Sequence, residues 1–271
     1  MPKRVKPTDD ADARTRMRAL RAASEETLSA RIYERLRDDL ISGALQPGRR
    51  LTLELLKERY GVGVTPLREA MLRLSASRLI VGEDRRGFRV APATPEHLAD
   101  VLQTRQLVEA LVLRSAFEAG DLEWEARVLA AFHRLKGTPM YERGATVIRQ
   151  EWELAHRDFH QAVLSPATLR MLLEFQNVLW DHAARYRNLV RPARLDADVL
   201  LREHEQLLEA VLAKDADLAC MALRRHIRNA GNAVLTGMMP TATQPDAGAG
   251  DGGARMPAAT KAAPAARGNR R

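Results

Sequence analysis

Four of the seven histidines in this 271-residue chain fall where metal chemistry is possible. His156 and His160 are four apart, so on a helix they share one face, one turn apart. Trp152, Phe159 and Val163 set that face beside a buried stripe. His204 lies in the apolar series Leu200, Leu201, Leu207, Leu208, Val211, and His226 in Ala219, Ala222, Leu223, Ala230. Three helical segments therefore aim imidazoles inward. Neutral imidazole ligates zinc and related ions, and facing helices of a bundle can build such a site. The competing role for each is a core histidine satisfied by one hydrogen bond; four on inward faces together favour a metal. The expected ion is divalent, zinc first, with nickel, manganese or iron also acceptable to histidine. His97, His133 and His182 stand outside the pattern and read as structural or exposed.

A second chemistry, polyanion binding, is written earlier in the chain. The net charge is +8, but its distribution says more. Residues 27–91 carry 13 Lys+Arg against 8 Asp+Glu, whereas residues 92–236 carry 18 against 20. The basic excess surrounds Gly61-Val-Gly-Val-Thr-Pro-Leu-Arg-Glu-Ala-Met-Leu-Arg-Leu74. Gly61 and Gly63 loosen the backbone between two helical patterns. Thr65 is the expected N-cap and Pro66 the first helical residue. Leu67, Ala70, Met71 and Leu74 form one apolar face, off which Arg68 and Arg73 point outward. A helix of this form suits a major groove; a surface helix with solvated arginines is the alternative.

The elements needed to position both chemistries follow from periodicity and punctuation. Leu28, Ile32, Leu36 and Leu40 give a first helix ending near Gly43. Gln46-Pro-Gly-Arg-Arg50 is a turn, and Leu53, Leu56 and Tyr60 mark a short second helix before the glycine turn. After the third helix, Leu79-Ile-Val81 and Phe88-Arg-Val-Ala91 are β-like runs joined by Gly82-Glu-Asp-Arg-Arg-Gly87, a hairpin composition. Three helices and a basic hairpin make a winged helix-turn-helix. Arg85 and Arg86 stand at its tip, within reach of phosphate or the minor groove, and Arg49 joins them as a candidate DNA contact. Thr94-Pro95 opens a second, all-helical region, with helices expected over 95–119, 122–136, 145–164, 166–188, 197–213 and 216–235. The fold class is thus mainly α: a winged helix-turn-helix followed by an all-α antiparallel bundle. Expected limits are a flexible arm over 1–26, the DNA-binding domain over 27–92, the helical domain over 93–236 and a disordered Ala/Gly/Pro tail over 237–271.

Several separately placed motifs carry a family resemblance. Ile41-Ser-Gly-Ala-Leu-Gln-Pro-Gly-Arg-Arg-Leu51, Tyr60-Gly-Val, Thr65-Pro-Leu-Arg-Glu-Ala-Met-Leu-Arg-Leu74 and Arg86-Gly-Phe-Arg-Val90 resemble the N-terminal domain of GntR-family transcription regulators. The resemblance implies that Thr65 and Arg68 contact operator bases and that Arg85 and Arg86 lie in a minor-groove wing. Gly63 and Val64 stand where the family usually has Ser or Thr followed by Arg, so a guanine-reading arginine is missing. Arg105-Gln-Leu-Val-Glu109, Phe159-His160, Glu203-His204-Glu205 and Arg225-His226-Ile227 resemble the FCD effector domain of the FadR-type subgroup. In its metal-binding branch three histidines and an acidic residue hold the ion, and His156 occupies the acidic position here. By the same resemblance the metal helps hold a small carboxylic acid. Arg105 is then a partner for the acid, or else only an i,i+4 ion-pair partner of Glu109. Arg185, within Arg185-Tyr186-Arg187, is a further effector candidate whose direction the sequence leaves open.

The first functional reading is a ligand-responsive repressor, homodimeric on a roughly palindromic double-stranded operator and modulated by a small carboxylate. The alternatives are a metal-dependent enzyme built on the helical region and an architectural DNA-binding protein without an effector. The one cysteine, Cys220, excludes an intramolecular disulfide. Residues 1–20 lack the apolar stretch of a secretory signal, and no apolar run approaches a membrane span. A cytoplasmic location without a membrane partner is expected.

Overall fold

A computed structural model of the chain describes residues 28–83, 87–145, 147–190 and 195–238. The expected arm over 1–26 lies outside these residues, as does the expected tail apart from positions 237 and 238, which continue the last helix. The wing-tip candidates Arg85 and Arg86 also lie outside them.

The N-terminal region has its own core. Helix α1 (28–41) buries Ile32, Leu36 and Leu40, the i,i+4 row of its apolar face. Helix α2 (Leu53–Tyr60) is capped by the Thr52 side chain, which accepts from the Leu55 N–H, and ends on Gly61 in the left-handed conformation. Helix α3 (Val64–Ala76) buries Pro66, Leu67, Ala70, Met71 and Leu74 against this core. It starts two residues before Pro66, on Gly63 as N-cap, so Thr65 is not the cap that the sequence suggests. Proline is tolerated at the third helical position because the first-turn N–H groups have no intrahelical acceptor in any case.

Strand β1 (Arg50–Leu51) was not expected. It pairs with β3 (Gly87–Val90), which also pairs with β2 (Ile80–Glu83), all antiparallel and in the order β1-β3-β2. Arg50 lies opposite Arg89, Ile80 opposite Val90 and Glu83 opposite Gly87. Two residues are too few to show alternation, which is why the turn segment conceals a strand.

Six helices follow: α4 (Pro95–Ala119), α5 (Leu122–Gly137), α6 (Gln150–Leu164), α7 (Arg170–Leu189), α8 (Ala197–Leu212) and α9 (Ala216–Met238). Thr94 caps α4, with proline at its start, Asp121 caps α5, and Asp196 caps α8 with bonds from the Asp198 and Val199 N–H groups. Helix α6 begins five residues later than expected. The segment before it forms an antiparallel bridge between Tyr141 and Ile148, with Arg149 N–H bonded to the Met140 carbonyl at 2.9 Å. Helix α7 likewise starts late, because Thr168 is held off the helix by its N–H bond to Ser115 Oγ at 3.1 Å. Helix α4 packs on α7 and α9, α5 on α6 and α8, and α8 on α9.

Helix α7 also touches the winged region. Asp181 receives a forked bond from Arg37 of α1 and a bond from Arg157 of α6 at 3.2 Å. His182 Nε2 donates to the Ser77 carbonyl at 2.8 Å, Arg185 to the Ala91 carbonyl and Asn188 to the Ile41 carbonyl at 3.1 Å. One helix therefore lines the bundle core and grips the first domain.

Candidate metal centre and nucleic-acid interface

The apolar stripes of α6, α8 and α9 carry His156, His160, His204 and His226 into one buried cluster. One nitrogen from each lies within 4.8 Å of the others. His204 donates from Nδ1 to the Leu200 carbonyl at 2.6 Å, which leaves Nε2 as a lone pair facing His160 Nε2 at 3.2 Å. His226 donates from Nδ1 to Glu203 at 2.9 Å, and Asn229 steadies the same carboxylate at 2.7 Å. Such outer partners fix the tautomer and orient a ligand ring. His156 has no hydrogen-bond partner on either nitrogen. Trp152 stacks on it with centroids 4.5 Å apart, and Trp180 borders it and His160 at 5.1 and 4.9 Å.

Burial, reinforced by the neighbouring imidazoles, holds His156, His160 and His204 well below the ordinary histidine pKa, so they are neutral. Burial alone would raise Glu203, but the bonds from His226 and Asn229 outweigh it and keep the carboxyl below its usual range. The donor set fits a divalent metal: four imidazole nitrogens converge, two rings have their far nitrogen engaged outside the cluster, and a third is wholly unpartnered. Burying bare imidazole nitrogen is otherwise costly.

A small cavity adjoins the cluster, lined by His156, His226, Arg105 and Arg187 together with apolar residues of α4, α8 and α9. Arg105 bonds Glu109 at 2.7 Å, so the i,i+4 ion pair does form, but buried rather than on an exposed surface. Its guanidinium also lies 5.1 Å from the Trp180 ring. Arg185 lies elsewhere. That side chain is fully buried, turns to Ala91 and does not line this cavity. Arg187, two residues on, does line it, lies 5.4 Å from Trp180 and makes a forked pair with Glu153 at 3.1 and 2.8 Å. Phase along α7 decides between them, and an Arg-Tyr-Arg run alone does not give that phase. His182, read from sequence as structural or exposed, is buried at the domain contact, and His97 bonds Tyr186 Oη at 2.9 Å.

On the winged region, Thr65 and Arg68 are exposed on α3, as is Arg49 in the turn before β1. Arg73 differs: its guanidinium lies 3.9 Å from the Tyr33 ring centroid, which ties it to α1. Val64, at the first helical position, is 37% exposed, and the outward face also presents Leu72 at 63%, which sequence reading passed over. An apolar side chain on a groove-facing surface meets the thymine methyl rather than guanine.

A winged helix-turn-helix joined to an all-helical domain with a buried pocket defines a DNA-binding regulator. Comparison with known proteins agrees. Residues 28–90 match the model for bacterial regulatory proteins of the gntR family, and residues 100–229 that for the FCD domain. The chain is 37% identical over 199 residues to the HTH-type transcriptional repressor GlaR of Escherichia coli (strain K12), covering 72% of this chain and 90% of GlaR. It is 35% identical over 208 residues to the uncharacterized HTH-type transcriptional regulator BphR of Paraburkholderia xenovorans (strain LB400), covering 76% and 85%. Among solved structures, E. coli McbR/YncC superposes with a TM-score of 0.64 at 23% identity, over 77% of this chain and 97% of that one, a likeness of fold. The chain belongs to the GntR family and carries an FCD domain; it is a transcription regulator and not an enzyme. Among the described residues, no helix is long and apolar enough to cross a membrane.

Proposed function

We propose that the protein is a dimeric, ligand-responsive repressor whose operator affinity is set by a small carboxylic acid held in the helical domain with the help of a divalent metal. The observation that carries this reading is the convergence of four buried histidine nitrogens within 4.8 Å beside a cavity that also presents Arg105 and Arg187. His160, His204 and His226 would hold the ion, with His156 as fourth ligand in place of a carboxylate. A bound divalent ion supplies positive charge for a carboxylate oxygen. An all-imidazole set leaves that charge unreduced, so an anionic effector is favoured over a neutral one. Arg105 and Arg187 would pair with the acid through their forked N–H groups, at the expense of their present bonds to Glu109 and Glu153. That GlaR is named a repressor supports the direction of regulation.

The route to DNA runs through α7. Trp180 touches His156, His160 and both arginines, and the next residue, Asp181, holds Arg37 of α1. An acid that binds one arrangement of α7 better than another shifts the placement of the winged region by that difference in affinity. The test is metal content by plasma mass spectrometry on wild type and on His204→Ala, followed by operator footprinting with a panel of small acids. About one equivalent of metal, lost in the variant, is expected, with release of footprinting by at least one acid. No metal in either protein after reconstitution removes the metal from the proposal.

A further inference from the structure

Among the described residues Arg185 is the largest fully buried side chain. Its Nη2 donates to the Ala91 carbonyl, while Nε and Nη1 have no hydrogen-bond partner. Among the described residues no carboxylate pairs with it. Asp181, one turn earlier on α7, is committed to Arg37 and Arg157. Glu96, in the first turn of α4, is exposed and held by its own main-chain N–H and by Thr94.

The surroundings add positive potential rather than relieving it. The N-terminus of α4, a 25-residue helix, lies here: the Thr94 N–H donates to Tyr186 Oη at 3.1 Å, and His97 Nδ1 meets the same hydroxyl at 2.9 Å. His182, one turn before Arg185, packs edge-on to His97 with centroids 5.1 Å apart and leaves Nδ1 buried without a partner. Burial lowers the Arg185 pKa, and the weakly acidic Tyr186 phenol opposes it without reversing the shift. An uncompensated buried guanidinium beside a helix N-terminus is among the costliest arrangements a protein holds. A water molecule could satisfy the free N–H groups but would leave the charge unbalanced.

We infer that Arg185 Nε and Nη1, His182 and the N-terminal turn of α4 form a second ligand site, separate from the histidine cluster, that takes one small monovalent anion of chloride or carboxylate-group size. With His182 Nε2 donating to Ser77, an anion is also served by Nδ1 once that ring gains a proton. The site lies where the end of α3, the end of β3 and the start of α4 meet α7, through Ser77, Ala91 and Thr94. A bound anion there fixes the winged region against the bundle, whatever occupies the histidine cluster.

Crystals of the full chain soaked in sodium bromide, measured at the bromine edge, test the site. An anomalous peak in contact with Arg185 Nε or Nη1 is the expected result; water density without anomalous signal there overturns the proposal for halides. The thermal midpoint is followed in parallel against chloride, acetate and gluconate at constant ionic strength. A saturable rise of roughly 5 °C at a hundredfold excess over Kd is expected from the anion that fits, and its loss in Arg185→Met. Chloride alone acting identifies a halide site, and acetate acting identifies a carboxylate site. No response to either, or an equal response in Arg185→Met, overturns the inference. Should that variant fail to fold, the wild-type bromide and acetate data decide.

Discussion

His160 and His204 face each other Nε2 to Nε2 at 3.2 Å, with the His204 Nδ1–H already given to the Leu200 carbonyl. The lone pair of His204 therefore points at its neighbour, and the contact is favourable only if His160 donates or a cation stands between them. The carboxylate behind His226 extends the same logic outward. Replacing Glu203 by Gln keeps an acceptor but removes the charge that makes the His226 ring a better donor of electrons. Metal affinity is expected to fall about 10- to 100-fold, measured by competition with a chromophoric chelator. Unchanged affinity would exclude Glu203 from supporting a ligand.

Acid sensitivity of the metal-free protein follows from the three depressed histidines. Their folded pKa values lie below the unfolded value of 6.5, so below pH 6.5 the unfolded chain binds more protons than the native one. Stability contributed by keeping these rings neutral is present above that pH and is lost as the pH falls. The slope is about 1.4 kcal/mol per pH unit for each ring, hence an uptake of about three protons on unfolding. Urea midpoints between pH 7.5 and 5 in chelator measure it. A flat profile over that range would contradict the neutral, buried cluster.

Most helices, the Thr94-Pro95 start of α4 and the inward histidines were legible in the sequence because each is a local signal, whereas the same threonine-proline signal misplaced the start of α3, which Gly63 caps. What was not legible depends on neighbours distant in sequence. The pairing of Arg50–Leu51 with β3 needs residues 88 and 89. That Arg185 leaves the pocket while Arg187 enters it depends on where Ala91 and Glu153 lie. The stacking of Arg73 on Tyr33 likewise requires α1 to cross α3.

These placements predict different roles for the arginines of the proposed DNA-binding surface. Arg68→Ala is expected to cost about 1–3 kcal/mol of operator affinity and relax specificity at one position, whereas Arg49→Ala should weaken all sequences alike and lower the salt slope by about 1. Arg73→Ala should mainly reduce stability, by about 0.5–1 kcal/mol, through loss of the Tyr33 contact. Binding titrations on operator and scrambled DNA at several salt concentrations distinguish the three. A salt slope lowered by Arg68→Ala without change in specificity would reassign that residue to phosphate.

Asp181 is the joint between the two domains. Its side chain is 8% exposed and holds both Arg37 and Arg157. Asp181→Asn leaves two arginines without their shared charge and should destabilise the chain by about 3 kcal/mol. Hydrogen exchange should rise first in α1 and α7. Metal affinity should be retained, since no ligand is touched. Loss of metal together with stability would show that the joint and the cluster are one cooperative unit.

Gly231 tests how tightly the wall of the cavity beside the histidine cluster is packed. A helical Gly→Ala change ordinarily stabilises by about 1 kcal/mol. Here a Cβ on Gly231 would meet Leu102 Cδ1 at 2.3 Å, Cδ2 at 2.5 Å and Cγ at 2.9 Å. Leu102 is itself buried, and its Cγ as well as both methyls stands in the way, so turning one methyl aside does not clear the clash. Gly231→Ala should therefore destabilise by about 1–3 kcal/mol, the cost of overpacking. Adding Leu102→Ala, which removes the atoms in conflict, should make the glycine substitution much less costly in that background. Calorimetry on the two single variants and the double gives the coupling. If the two effects simply add, Leu102 and Gly231 are not in conflict, and α4 and α9 do not approach through these two residues.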